Sequence, residues 1–205
     1  MNRKIQFGII GLGHIGKRHA KCVLDHPQAD LSATCDILPV EKLQCEDTYA
    51  SVLCDYDDLI YNKNIDVVNI CTPNYLHANM AIDALKAGKH VVIEKPMALS
   101  SVDAQKIIDT SKRENRLVFC VMQNRFSPSI IWLKEIVSKK KLGRINMVSI
   151  HCFWNRNHSY YLDSSWHGSY KKDGGPLFTQ FSHFIDILYL LFGSVKTVET
   201  EFFSF

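Results

Sequence analysis

The chain has 205 residues, 46% of them hydrophobic and 22% charged, proportions that suit a soluble globular protein with a sizeable core. Its formal net charge of +3 is spread over both signs, so no basic tract argues for a nucleic-acid partner. No window of about 18 apolar residues is present that would span a bilayer.

The N-terminus runs straight into a strand pattern without a signal-peptide core, so the expected location is the cytoplasm. Seven cysteines are scattered, odd in number and never spaced Cys-x-x-Cys, and the nine histidines show no ligand spacing. Reduced thiols and no metal are expected.

Residues 4–10 read as a buried strand and run directly into Gly11-Leu12-Gly13-His14-Ile15-Gly16, followed by a helix over about 17–26 that Pro27 stops. In a strand, glycine turn and helix, the first glycine makes the tight turn and the second lets a pyrophosphate approach the backbone. The third lets helix and strand pack closely. The helix N-terminus offers free N–H groups to the phosphates. A second strand, 31–36, ends in Asp36, twenty residues after Gly16, the spacing at which a carboxylate reaches the adenosine ribose. Ile37, Leu38 and Pro39 follow with no cation for a 2′-phosphate, so NAD is expected and not NADP. The competing reading makes Asp36 a turn residue that ends a strand.

Between residues 39 and 61 the pattern is mixed: a short helix, a weak strand near 47–49 and a helix starting near Asp55. Residues 66–71 read as a strand, followed by Thr72-Pro73-Asn74-Tyr75-Leu76-His77 and a helix to about Ala87 that Gly88 closes. Thr72 and Asn74 suit helix capping, and at the carboxyl end of a sheet strand Asn74 and His77 also fall beside a bound nucleotide.

The run His90-Val91-Val92-Ile93-Glu94-Lys95-Pro96 is a buried strand that ends in charge. A lysine before proline is by default a solvated loop residue. At the carboxyl end of a parallel strand it points instead into the crevice where ligands bind, which makes Lys95 a candidate proton-transfer group beside a nicotinamide. A helix starting at Ser100 and running to about Arg116, then a strand over 117–122, complete an alternation of strands and helices through residue 123. The fold class is therefore α/β: a doubly wound parallel sheet of the Rossmann type over 1–123.

From 124 to 205 the start of a second, incomplete α/β domain is expected. It has an amphipathic helix over 128–138, a solvated Lys139-Lys140-Lys141 turn, a long strand over 144–154 and a polar, aromatic loop over 155–173. Gly174-Gly175-Pro176 then opens a helix expected to run to about Phe192. On its wheel Leu177, Phe181, Phe184, Ile185, Leu188 and Phe192 share one face, and Thr179, Ser182, His183 and Asp186 the other. A lone histidine there reads as a core residue; with Thr179, Gln180 and Asp186 around it, His183 reads as facing a cavity.

Four ordered motifs carry a resemblance: the run from Gly11 to His19, Thr72 to His77, Glu94-Lys95-Pro96, and Gly174 through His183 to Asp186. Together they resemble the glucose-fructose oxidoreductase, inositol dehydrogenase and MocA (Gfo/Idh/MocA) oxidoreductases, from Arg3 to the last residue. Members commonly carry an aspartate four residues before the histidine, where this chain has Thr179. With Gln180 and the loop from Phe153 to Gly168, that looks most like the branch oxidising C3 of UDP-N-acetylglucosaminuronic acid for bacterial surface polysaccharides.

The resemblance implies Lys95 and His183 as the catalytic pair. It implies a cofactor site of Gly11, Gly13, His14, Ile15, Gly16, Asp36, Thr72, Pro73, Asn74, His77, Glu94, Lys95 and Gln123. Arg156, Tyr160, Thr179 and Gln180 fall on the sugar side. It also implies a homo-oligomer, dimer or tetramer, built on a second sheet that continues past Phe205, so the domain is expected to be unfinished here. Two other readings stand beside it: a dehydrogenase of a simpler polyol such as inositol, and a non-catalytic NAD-binding remnant.

Overall fold

The computed structural model describes residues 3–43, 52–162 and 164–201. Six strands form one parallel sheet: β1 (Ile5–Ile10), β2 (Ala29–Cys35), β3 (Val52–Leu53), β4 (Val67–Ile70), β5 (His90–Ile93) and β6 (Val118–Cys120). Their order is β3-β2-β1-β4-β5-β6. β1 therefore lies between β2 and β4, and the chain crosses from one half of the sheet to the other there. That crossing opens a crevice beyond the strands' carboxyl ends.

Helices cover the sheet: α1 (His14–Leu24), α2 (Val40–Leu43), α3 (Tyr56–Ile60), α4 (His77–Lys86) and α5 (Ser101–Arg113). The central strands are buried on both faces, which is why they read as unbroken apolar runs. Ile10, Val68, Ile70, Val91 and Ile93 pack with Ala81, Leu85 and Ile107 from the helices into the main cluster. On the other side Ile9, Leu12, Ala20, Leu43 and Cys71 form a smaller one. Ser100 caps α5, accepting from Asp103 N at 3.0 Å, and Asp55 caps α3, accepting from Asp57 N at 2.9 Å. The weak strand expected near 47–49 lies outside the described residues; β3 follows it at 52–53.

The regular elements in the rest of the described chain are helices: α6 (Pro128–Ser138), α7 (His158–Leu162), α8 (Tyr170–Asp173), α9 (Pro176–Thr179) and α10 (Ser182–Phe192). Two expectations are corrected here. Residues 144–154 form no ladder among the described residues, and Met147 and Phe153 stand 85% and 94% exposed. A strand is held by its neighbour's hydrogen bonds, so alternating sequence without a partner stays irregular.

The helix expected from 176 to 192 is two helices. Phe181 N bonds back to Pro176 O, closing α9 with a wider turn, and α10 restarts with Phe184 N and Ile185 N both on Phe181 O. Asp186, on the polar face, is fastened to Arg125 by a two-pronged ion pair, one arm at 2.7 Å. No helix among the described residues is long and apolar enough to cross a membrane.

Candidate active site

The glycine turn sits between β1 and α1 as the spacing predicts. Gly11 has φ +90°, and a Cβ there would stand 2.7 Å from Cys71 O. At Gly16 a Cβ would meet Gly11 O at 1.8 Å, so the helix start rests directly on the turn. Gly13 is the opposite case: nothing lies within 4 Å of where its Cβ would be. Open backbone at the mouth of an eleven-residue helix is the cradle a pyrophosphate needs.

Asp36 follows β2 and faces this turn. One carboxylate oxygen accepts from Leu12 N at 2.7 Å, the other from Leu38 N at 2.9 Å. Each oxygen keeps a lone pair for a ribose hydroxyl. The residues present therefore fit NAD: glycine backbone and helix N-terminus for the phosphates, a carboxylate for the ribose, Ile37 and Leu38 where a 2′-phosphate would want a cation. His14 and Gly13 are exposed at this mouth and Ile15 is half-buried.

At the end of β4 the capping expected of Thr72 and Asn74 is not what their side chains do. Neither the short 3-10 turn Asn74–Leu76 nor α4 has a side-chain cap, and Pro73 stands at the N-cap of the turn. Thr72 Oγ1 lies 3.6 Å from Met80 Sδ, and the buried Asn74 amide donates to Asp173 O at 2.9 Å. His77 is 1% exposed, with Nδ1 2.7 Å from Pro96 O and Nε2 2.8 Å from Thr72 O. A neutral imidazole has one N–H, so one carbonyl accepts from His77 and the other lies against its bare nitrogen; at 1% exposure the ring enters the site through the two loops it lies between. Burial holds its pKa below the ordinary histidine value, although both carbonyls pull the other way.

β5 delivers Glu94 and Lys95. Asn69 Nδ2 donates to His19 Nδ1 at 3.1 Å, which leaves His19 Nε2 as the proton-bearing nitrogen, 3.0 Å from Glu94 Oε1. The other Glu94 oxygen accepts from Lys95 N at 3.1 Å. Burial alone would raise the Glu94 carboxyl, but the bond from His19, the bond from Lys95 N and the Lys95 charge carry it below its usual value.

Lys95 Nζ reaches across to α9 and donates to Thr179 O at 2.6 Å. Burial pushes its amine below the ordinary lysine value; Glu94 and Asp173 oppose that and Arg156 adds to it. His183, in the first turn of α10, is likewise lowered by burial and then by the Lys95 charge. Its Nδ1 is buried with no hydrogen-bond partner among the described residues. The two residues expected to act together are thus brought into one electrostatic environment.

Among the residues expected to face the sugar, the Arg156 guanidinium lies over the Trp154 and Tyr160 rings, 5.1 and 4.2 Å from their centroids. Tyr160 stacks on His167 at 4.4 Å. The Thr179 hydroxyl is turned onto Gly175 O, 3.1 Å away, and onto the Gln180 amide oxygen. Gln123 is exposed at the start of the 3-10 turn Gln123–Phe126. His19, Asn69 and Asp173 escaped sequence reasoning. For His19 a signal was there, since it closes the Gly11–His19 motif.

Residues 5–122 match the oxidoreductase family with an NAD-binding Rossmann fold, GFO_IDH_MocA, and residues 130–204 match the GFO/IDH/MocA C-terminal domain. The chain belongs to the Gfo/Idh/MocA oxidoreductase family. Inositol 2-dehydrogenase of Salmonella typhimurium is 30% identical over 204 residues, covering 97% of this chain and 58% of the relative. Myo-inositol 2-dehydrogenase of Thermotoga maritima is 32% identical over 152 residues, 71% of this chain and 44% of the relative. Among solved structures, the WlbA dehydrogenase from Bordetella pertussis in complex with NADH and UDP-GlcNAcA superposes with a TM-score of 0.89 at 34% identity. It covers 94% of this chain and 56% of that one. The chain thus spans 44–58% of the length of these relatives.

Proposed function

We infer that this Gfo/Idh/MocA chain is the catalytic portion of an NAD-dependent dehydrogenase that oxidises a ring hydroxyl of a sugar. The substrate we assign is a UDP-N-acetyl-hexosaminuronate, oxidised at C3 on a route to bacterial surface polysaccharide. The observation that supports the reading is the bond of Lys95 Nζ to the α9 carbonyl of Thr179, with the lysine's charge acting on His183.

Oxidising a secondary alcohol needs a base for the hydroxyl proton while hydride leaves the same carbon. NAD, when bound, supplies the hydride acceptor. Lys95, lowered by burial, takes the hydroxyl proton at Nζ, and His183 shares that proton or orients the hydroxyl. The His19–Glu94 pair fixes the end of β5 so that Nζ projects into the crevice. Arg156 on its two aromatic faces offers charge and stacking surface suited to the acidic sugar nucleotide. The likeness to WlbA supports this substrate class. The same reading makes the whole enzyme a dimer or tetramer.

A second reading, a dehydrogenase of inositol, is favoured by the names of two relatives similar in sequence. The test is NADH formation with UDP-N-acetylglucosaminuronic acid set against myo- and scyllo-inositol. Turnover of the sugar nucleotide alone supports the first reading, and turnover of inositols alone replaces it. Tight NAD binding with turnover of none of them returns the chain to a non-catalytic NAD-binding protein.

A further inference from the structure

Asp173 ends α8, just before the two glycines that precede α9. It is 5% exposed, the class of acidic residue that is almost never fully buried without a partner. One carboxylate oxygen accepts from Gly168 N at 2.7 Å. The other, Oδ1, is buried with no hydrogen-bond partner among the described residues. Its main-chain carbonyl takes the Asn74 amide at 2.9 Å, so the residue hangs from the loop that follows β4, on the cofactor side. Its charge acts on the Lys95 amine and the Tyr160 phenol. A buried carboxylate oxygen left unpaired is costly, and a donor arriving there recovers that cost.

Lys95 Nζ donates to Thr179 O and makes no hydrogen bond to Oδ1, which leaves that oxygen open to a donor from outside the described residues. We propose that Asp173 is a substrate-binding residue whose free oxygen accepts a hydrogen bond from a hydroxyl or amide N–H of the sugar held between Lys95 and Tyr160. This rests on the sugar-dehydrogenase reading above. It gives the site an acceptor that discriminates sugars by where they carry a donor, because a ligand lacking one leaves the carboxylate oxygen unpaired. The charged groups that act on Lys95 are Glu94, Asp173 and Arg156, together with the Cys120 thiol; the Lys95 charge in turn acts on His183.

The test uses the full chain loaded with NAD, with UDP-N-acetylglucosaminuronic acid and myo-inositol as calorimetric probes. Asp173→Asn and Asp173→Ser both keep an acceptor for Gly168 N. The expected result is a sugar affinity about 10- to 100-fold weaker, the size of a lost bond to a charged acceptor, with NAD affinity unchanged within about twofold. Where turnover is measurable, the acid limb of the Asp173→Asn rate profile moves to lower pH, since the negative charge that raises Lys95 is gone. Wild-type binding of a probe with both variants unchanged overturns this inference and leaves the proposed function standing. A wild type that binds neither probe sinks the sugar reading and this inference with it. Loss of both NAD binding and circular dichroism in both variants makes Asp173 a folding residue and overturns the inference.

Discussion

Lys95 and Thr179 lie 84 residues apart, and the lysine's Nζ donates to the threonine's main-chain carbonyl at 2.6 Å. One residue follows a strand of the Rossmann sheet by two positions, the other ends α9, where the expected long helix breaks. The bond therefore joins the half of the chain built to hold a dinucleotide to the half that carries His183. The bond stabilises the ammonium form more than the neutral amine, while burial favours the neutral amine. An amine held between these tendencies is suited to taking up and releasing one proton.

Replacing Lys95 with Met keeps the length of the side chain and removes the titrating atom. Turnover should fall by about a hundredfold to ten-thousandfold, the usual worth of general acid–base catalysis, with NAD affinity unchanged. Because the neutral amine is the base and its pKa lies below the ordinary 10.5, the wild-type rate should fall as pH drops through that lowered value. Stopped-flow NADH formation across pH measures both. A variant turning over at wild-type rate removes Lys95 from the chemistry.

Asp36 carries a double duty, bonded to Leu12 N and Leu38 N while facing the place of the ribose. Asp36→Ala should weaken NAD binding by roughly 1.5–3 kcal/mol. Asp36→Asn retains acceptor capacity for the loop and should lose less. Equal NAD affinity in wild type and Asp36→Ala, by calorimetry, would make the aspartate a turn residue only.

Glu94 has a folded pKa below the ordinary 4.5. A carboxyl depressed in the folded state contributes stability that is fully present above its unfolded value and is lost as pH falls through the folded one. Wild-type thermal stability should therefore drop more steeply below about pH 4.5 than that of Glu94→Gln, which has no proton to gain. Melting curves from pH 6 to pH 3 compare them; parallel curves would show that His19 and Lys95 do not hold the carboxylate.

What could be read in the sequence was local. The Gly11–Gly16 turn, Asp36 twenty residues on, the Ser100 cap and the charged end of β5 are each set by neighbours in the chain, and each stands where expected. The pairing of His19 with Glu94 spans 75 residues and that of Asn74 with Asp173 spans 99, and no periodicity records them. Residues 144–154 show the limit from the other side. Their alternation is that of a strand, but a ladder needs a second strand, and local pattern cannot supply one.

Gly13 and Gly16 separate folding from binding within a single turn. Gly16→Ala would place a methyl 1.8 Å from Gly11 O, a main-chain atom that cannot step aside. Overpacking of that kind costs about 3 kcal/mol or more, and in a chain of this size each kcal/mol lowers the melting temperature by about 2–4 °C. Gly13 has φ −64°, which any residue adopts, and open space where its Cβ would be. Gly13→Ala should therefore melt within about 0.5 kcal/mol of wild type. Its methyl would instead stand in the space a pyrophosphate needs, weakening NAD binding by about tenfold or more. Scanning calorimetry with and without NAD distinguishes the two effects: Gly16→Ala unfolds early in both conditions, whereas Gly13→Ala unfolds normally and loses the stabilisation that added NAD confers. If Gly13→Ala keeps that stabilisation in full, the phosphates lie somewhere other than this turn.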